Sequence, residues 1–417
     1  MDSNQLLSMD EIRRAAENLK GIVAVTPLQK NPNLSARYGA EIWLKREDLQ
    51  QVRSYKIRGA FNKIQSLTDS ERKRGVVCAS AGNHAQGVAS ACSTLGIKGT
   101  IFMPVPTPNQ KVRQVKMFGR EYVDVVMTGD TFDDAYRESS AFCNSRGAVF
   151  IHPFDDEQVI AGQATIALEL FEQLPNPDLI FIPIGGGGLA AGICSVAKVL
   201  SPSTRLIGVE PEGAPSMKVS IEKGEIVTLA KIDNFVDGAA VKRVGNLTFP
   251  ICRTHLTDLL SVPEGRVCSV ILRLYNEDAI VAEPAGALSI AALDQYADQI
   301  RGKKVVCVVS GSNNDITRME EIKERSLLYE GLKHYFIVRF PQRAGALREF
   351  LERVLGPTDD IAHFEYSKKN SREHGSAVIG IELQRKEDFK PLIKRMKNHS
   401  LTFEYLNRRP DLFQFLV

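Results

Sequence analysis

The chain has 417 residues, 43% of them hydrophobic and 25% charged, with 53 basic against 50 acidic residues and a formal net charge of +3. At about 100–200 residues per domain, that length suggests two or three domains with sizeable cores. So even a charge balance, with no Lys/Arg cluster, excludes a nucleic-acid or membrane-surface partner, and no stretch reaches the roughly 18 apolar residues of a transmembrane helix.

In chain order, MDSNQLLSMDEIRRAAENLKG (1–21) reads as a charged amphipathic helix without the apolar centre of a signal peptide. VRSYKIRGAFNKI (52–64) then sets Lys56 among apolar neighbours. Such a lysine is either a snorkelling surface charge or a buried amine with a chemical role. Short β-branched runs follow at 75–80, 98–104, 178–184, 205–210 and 303–310, alternating with helical stretches such as 83–96 and 162–174. Continuous apolar runs of this kind sit in parallel sheets covered on both faces. The expectation is an α/β fold with ligands at the carboxyl ends of its strands. From residue 333 the pattern becomes strand (333–340), helix (343–355), strand (360–369), strand (376–384), helix (387–398) and strand (411–417). That βαββαβ order is the ferredoxin-like unit, and it places a domain boundary near residue 328. Seven scattered cysteines form no C-x-x-C pair, which reads as free thiols in a reducing compartment, the cytoplasm.

Four motifs carry candidate chemistry, three of them at strand ends. FIPIGGGGLAAGI (181–193) sets four glycines between a strand and a helix, which lets backbone N–H groups converge on a phosphate. The same stretch fits a dinucleotide fingerprint through Gly186, Gly188 and Ala191, with Glu210 about 20 residues on as a ribose-binding acid. CASAGNHAQGVA (78–89) could cradle a carboxylate at a helix N-terminus, or Ser80 or Asn83 could simply cap that helix. VVSGSNND (308–315) adds Ser310 in what is otherwise an ordinary turn, and VAEPAGA (281–287) adds Glu283, which by itself reads equally as a solvated charge or a helix-start anion. No metal-binding constellation stands out. A buried lysine loses proton affinity and can form an imine, so a phosphorylated aldehyde would use both Lys56 and the glycine loop.

KREDLQQVRSYKIRGA, SAGNHAQGVA, GGGGL, VAEPAGA and SGSNND occur in the order found in fold-type II pyridoxal-phosphate enzymes. Over about residues 5–320 the chain resembles that superfamily. The tail resembles the single ACT-like module of the short biosynthetic threonine dehydratases. The resemblance implies two α/β subdomains with the cofactor between them (1–328) and a regulatory domain (329–417). It implies that Lys56 holds pyridoxal 5'-phosphate covalently and removes the substrate α-proton. Asn83 would bond the cofactor's phenolic oxygen, and Gly185, Gly186, Gly187, Gly188 and Leu189 its phosphate. Ser310 would face the pyridine nitrogen, and Glu283 would lie close to the ring. Ser80, Ala81, Gly82 and His84 would surround the substrate carboxylate. A neutral hydroxyl at the pyridine nitrogen makes the ring a weaker electron sink, which suits elimination. The implied reaction converts L-threonine, or L-serine, to a 2-oxo acid and ammonia. Relatives with a divalent-cation site carry Glu, Ala and Asp where this chain has Glu210, Ala214 and Ser216, so no metal is expected. The turn FPQRAGALREF (340–350), with Arg343, Ala344, Gly345, Ala346 and Leu347, corresponds to an amino-acid effector loop, with isoleucine the candidate ligand. A homotetramer is implied. A serine racemase or catabolic dehydratase, a nicotinamide-dependent oxidoreductase and a non-catalytic amino-acid sensor are the alternatives.

Overall fold

The computed structural model describes residues 6–366 and 374–409. The chain divides into two compact units, residues 1–315 and 316–417. The division lies ahead of residue 328 because the helix Met319–Glu330 belongs with the second unit. Its Glu324 accepts from Tyr335 Oη at 2.8 Å and also pairs with Lys333.

Among the described residues the first unit contains ten strands: β1 Leu28–Lys30, β2 Glu41–Arg46, β3 Val76–Ala79, β4 Gly99–Met103, β5 Val123–Met127, β6 Val149–Phe150, β7 Leu179–Pro183, β8 Arg205–Pro211, β9 Asp258–Val262 and β10 Lys304–Val309. They form two sheets. The larger has the order β1-β2-β10-β7-β8-β9 and is parallel except for β1; the smaller, β5-β4-β3-β6, is parallel throughout. β3 and β7 are buried along their whole length, as strands covered on both faces must be. Each sheet has its own apolar core, one built around Ile180, Ile182 and Val306, the other around Cys78, Ile101 and Val88.

The helix Lys56–Gln65 packs between two others, Asn83–Leu95 and Glu157–Gln173. Glycines allow both close approaches. A Cβ on Gly162 would lie 2.5 Å from Arg58 O, and one on Gly87 only 3.1 Å from the Lys56 backbone. Capping fixes where the helices begin. Asp156 accepts from Gln158 and Val159 N–H, and Thr131 forms a capping box with Asp134. The seven cysteines are all free and buried. Among the described residues no helix is long and apolar enough to cross a membrane.

The second unit is an antiparallel sheet of four strands, β11 Lys333–Pro341, β12 Asp360–Tyr366, β13 His374–Glu382 and β14 Thr402–Tyr405, in the order β12-β13-β11-β14. The helices Ala346–Arg353 and Phe389–Asn398 supply Phe350, Leu392 and Met396 to its core. The chain order βαββαβ is thus complete with β14. The strand expected over 411–417, residues 367–369 of the strand expected over 360–369 and the first five residues of the N-terminal helix lie outside the described residues. That helix is described from Met9 to Leu19.

Candidate active site

Three helix N-termini and two strand ends of the first unit meet at one cleft. It holds about 290 Å³ of atom-free space and is lined by Tyr55, Lys56, Asn83, Pro183, Gly185, Gly238, Ala239, Glu283, Ala285 and Ser310. Lys56 opens the helix Lys56–Gln65, Asn83 opens Asn83–Leu95, and Glu283 is the N-cap of Pro284–Ala291. Gly185 follows β7 and Ser310 follows β10, as ligand sites in parallel sheets require.

Lys56 Nζ donates to Pro153 O at 2.8 Å. Burial pushes its pKa down to about 8, against the pull of the Glu283 charge. The amine is therefore far closer to its reactive neutral form at physiological pH than a solvated lysine is. Tyr55 N–H donates to Ser310 O at 3.1 Å and so ties the lysine helix to the end of β10. Glu283 is buried, and burial together with the Asp237 charge raises it to about 7. It accepts from Asn83 Nδ2 at 2.6 Å and from the Asn313 N–H at 3.2 Å.

The glycine loop has the character of an anion cradle. Gly187 takes φ +93°, which favours glycine. A Cβ on Gly186 would lie 2.3 Å from the Phe154 ring, so no larger residue fits without displacing it. Thr248 Oγ1 donates to Gly186 O at 2.6 Å and holds the loop's shape. Among the described residues, none of the N–H groups from Gly185 to Leu189 donates to a protein acceptor. A row of free N–H groups at a helix N-terminus fits a phosphate. A free-amine lysine, a phosphate cradle and a hydroxyl at a third strand end together fit a phosphorylated aldehyde such as pyridoxal phosphate.

Of the residues singled out in the sequence, Lys56, Asn83, Gly185, Glu283 and Ser310 share the cleft wall. Gly186, Gly187, Gly188 and Leu189 continue the loop into the next helix. Ser80, Ala81 and Gly82 form the turn after β3. Neither Ser80 nor Asn83 caps the following helix; Gly82 is its N-cap, and Ser80 Oγ accepts from Gly82 N–H at 3.2 Å. The N–H groups of Asn83, His84 and Ala85 have no protein acceptor among the described residues, leaving a second small cradle. His84 is turned inward instead. It is buried, its Nε2 faces Ile151 O at 2.8 Å, and burial lowers its pKa to about 3, so it is a neutral imidazole.

Glu210 cannot serve a ribose. It is wholly buried, and its two oxygens accept from Met217 N–H at 2.7 Å and Lys218 N–H at 2.9 Å. It anchors the helix Ser216–Lys223, which removes the dinucleotide alternative's recognition acid. Ser216 donates to Val241 O. Among the described residues no cluster of three or more metal-ligating side chains occurs.

Sequence reasoning missed Tyr55, Gly238, Ala239 and Asn313. Gly238 and Ala239 lie in a segment with no strand or helix pattern to mark it. Asn313 stood inside a quoted motif, and its amide three residues beyond Ser310 was the available signal.

In the second unit, Arg343 and Ala346 line a groove of about 780 Å³, with Arg339, Glu349, His399 and Ser400 among its other walls. Arg343 pairs with Glu349 at 2.7 Å. Gly345 is the N-cap of the helix Ala346–Arg353 at φ +83°, whereas Ala344 and Leu347 are exposed and do not line the groove.

The profile of the pyridoxal-phosphate dependent enzyme family matches residues 19–311, and that of the C-terminal regulatory domain of threonine dehydratase matches residues 324–416. The biosynthetic L-threonine dehydratase IlvA of Bacillus subtilis (strain 168) is 56% identical over 418 residues, covering 100% of this chain and 99% of its own. The processed threonine deaminase isoform 2 of Solanum lycopersicum superimposes with a TM-score of 0.72 at 36% identity, over 78% of this chain and 97% of that one. Maize serine racemase superimposes with a TM-score of 0.72 at 32% identity, over 78% of this chain and 99% of that one. Full-length identity above one half, together with both domain profiles, places the chain in the biosynthetic L-threonine dehydratase family of pyridoxal-phosphate-dependent enzymes.

Proposed function

We propose that the chain deaminates L-threonine to 2-oxobutanoate and ammonia, by α,β-elimination with pyridoxal 5'-phosphate. The observation that carries this is the convergence of Lys56, the free N–H row of the glycine loop and Ser310 on one cleft. The bound cofactor supplies an electron sink for the carbon that bears the amino group. The chain's residues do the rest. The Gly185–Leu189 N–H groups hold the phosphate. Ser310 offers a neutral hydroxyl, which cannot fix a proton on the pyridine nitrogen as a carboxylate would. Asn83 donates to the phenolic oxygen. The free N–H groups at Asn83–Ala85, beside the turn of Ser80, Ala81 and Gly82, take the substrate carboxylate. Lys56 would be the residue that holds the cofactor, and its amine, already lowered towards neutrality by burial, would take the α-proton.

The test is product analysis. The full chain loaded with cofactor should release 2-oxobutanoate and ammonia in equal amounts from L-threonine. L-serine should react with a lower kcat/KM, by about 10–200-fold, since the two differ by one methyl group. Accumulation of the D-enantiomer without keto acid would instead assign a racemase, the activity named for the maize structure. Amino-acid binding without ammonia release would assign a sensor.

The second unit is read as the effector domain, with isoleucine as ligand. Arg343 and Glu349 border the groove with opposite charges, which suits an amino acid's carboxylate and ammonium groups. Saturating isoleucine should weaken threonine binding by about 5–150-fold, the usual span of allosteric coupling. Threonine should then weaken isoleucine binding by the same factor, and Arg343→Ala should blunt the effect. Unchanged threonine kinetics in isoleucine would contradict it. The same reading makes the enzyme a homotetramer, which light scattering measures, and assigns it to the cytoplasm, where seven buried free thiols persist.

A further inference from the structure

The function proposed above gives Asn313 no role, yet its side chain bridges two walls of the cleft. Its Nδ2 donates to Val52 O at 2.9 Å and to Asn83 Oδ1 at 2.7 Å, and its own N–H donates to Glu283 Oε2 at 3.2 Å. Asn83 Nδ2 donates to Glu283 Oε1 at 2.6 Å. A backbone carbonyl can only accept, so Val52 obliges Asn313 to turn its nitrogen towards this corner. Asn83 must then meet Asn313 with its oxygen, which leaves its nitrogen for the Glu283 side. The polarity of the whole chain of bonds is set by Val52, a group with no protonation state.

Without Asn313, the Asn83 amide would be oriented by Glu283 alone. An ionised carboxylate accepts only and demands the Asn83 nitrogen. A protonated one both donates and accepts, and satisfies either face of the amide. We infer that Asn313 is a positioning residue that keeps the Asn83 amide nitrogen, and not its oxygen, on the Glu283 side whatever the charge on Glu283. This rests on the pyridoxal-phosphate reading, in which Asn83 must donate to a phenolic oxygen. The uncertainty that Asn313 removes is real at neutral pH. Burial and the Asp237 charge bring Glu283 to about 7, against the bond from Asn83 and the charge of Lys111. The other titrating groups that Glu283 feels are Lys56, lowered to about 8 by burial, and Tyr55, pushed up by burial and by Glu283 itself.

The test is the affinity of the cofactor-free full chain for pyridoxal phosphate, followed by absorbance at pH values on both sides of 7. Taking each variant's Kd over that of the wild type cancels the titrations common to both. For Asn313→Ala the ratio should stay near one where Glu283 is ionised and rise to about twofold below its pKa, the cost of selecting one of two equally satisfied orientations of the Asn83 amide. Asn313→Asp should behave oppositely. Its oxygens draw the Asn83 nitrogen away and turn the Asn83 oxygen to Glu283, a clash that is worst where Glu283 is ionised. A merely structural residue gives ratios that do not change with pH, and flat ratios for both variants would overturn the inference. If Asn313→Ala does not fold, Asn313→Ser, which likewise removes the amide and adds no titrating group, decides in its place: a ratio rising as the pH falls supports the inference, and a flat one overturns it. A wild-type chain that binds no pyridoxal phosphate would overturn the reading beneath it instead.

Discussion

Lys56→Ala should lower kcat for threonine by about 10⁴-fold, the upper range for one positioned acid–base group. The loss is large because, on the proposed function, one amine has two tasks: to hold the cofactor and to move the α-proton. Lys56→Arg should be equally inactive. Arginine keeps the positive charge but does not lose its proton in a protein, so it can neither attack a carbonyl nor act as a base. The pair of variants separates chemistry from charge. The fold should survive both, because Lys56 Nζ makes a single hydrogen bond, to Pro153 O, and lies at a helix end. A small added amine that enters the vacated space should restore part of the rate to Lys56→Ala and none to Lys56→Arg. Either variant, properly folded, retaining more than about a tenth of the wild-type rate would place the acid–base chemistry elsewhere.

The second large effect concerns stability. Arg58, two residues beyond Lys56, is 1% exposed, a burial within the range of the apolar core. Its guanidinium grips Glu47 through Nε at 2.9 Å and Nη2 at 2.8 Å, and Glu169 through Nη1 at 2.6 Å and Nη2 at 3.0 Å. Lys45 Nζ lies 2.6 Å from Glu169 Oε2 and 2.7 Å from Thr26 O. Two cations and two anions thus balance inside the first unit. Burial opposes ionisation of Glu47, yet the Arg58 guanidinium outweighs it and holds the carboxyl below its ordinary range. Arg58→Met keeps the side-chain length but leaves the two carboxylates with Lys45 as the cation of the cluster, and Glu47 with the neutral donors Thr26 and Gln50 in hydrogen-bond contact. The expected loss is about 3–5 kcal/mol, the cost of breaking a buried pair from one side. Chemical denaturation of the full chain measures it. Loss of less than about 1 kcal/mol would mean that solvent reaches the cluster and screens it.

The contrast between these two lysine-helix residues shows what a sequence can reveal. Lys56 was legible because the residues around it announce themselves in local patterns, Gly185 and Ser310 just past strand ends and Asn83 and Glu283 at helix starts. Arg58 stands in the same quoted stretch and gave no sign, because its partners Ala24, Glu47 and Glu169 come from three separate segments of the chain. β2 was hidden for the same reason. Its last residues, Lys45 and Arg46, are buried charges, and a charged end makes a strand resemble surface. Glu210 misled in the opposite direction. It stands where a nucleotide-binding acid would, but only its burial and its two backbone donors reveal a helix anchor. The Gly238–Ala239 wall of the cleft belongs to no regular element, so no periodicity could locate it.

The central claim is that Lys56 is the residue that holds the cofactor. Borohydride reduction of the cofactor-loaded full chain, followed by proteolysis and mass mapping, tests it most directly. The prediction is a single modified peptide carrying the reduced pyridoxyl phosphate on Lys56. The same adduct on any other lysine, or a chain that takes up the cofactor and gives no adduct, would contradict it.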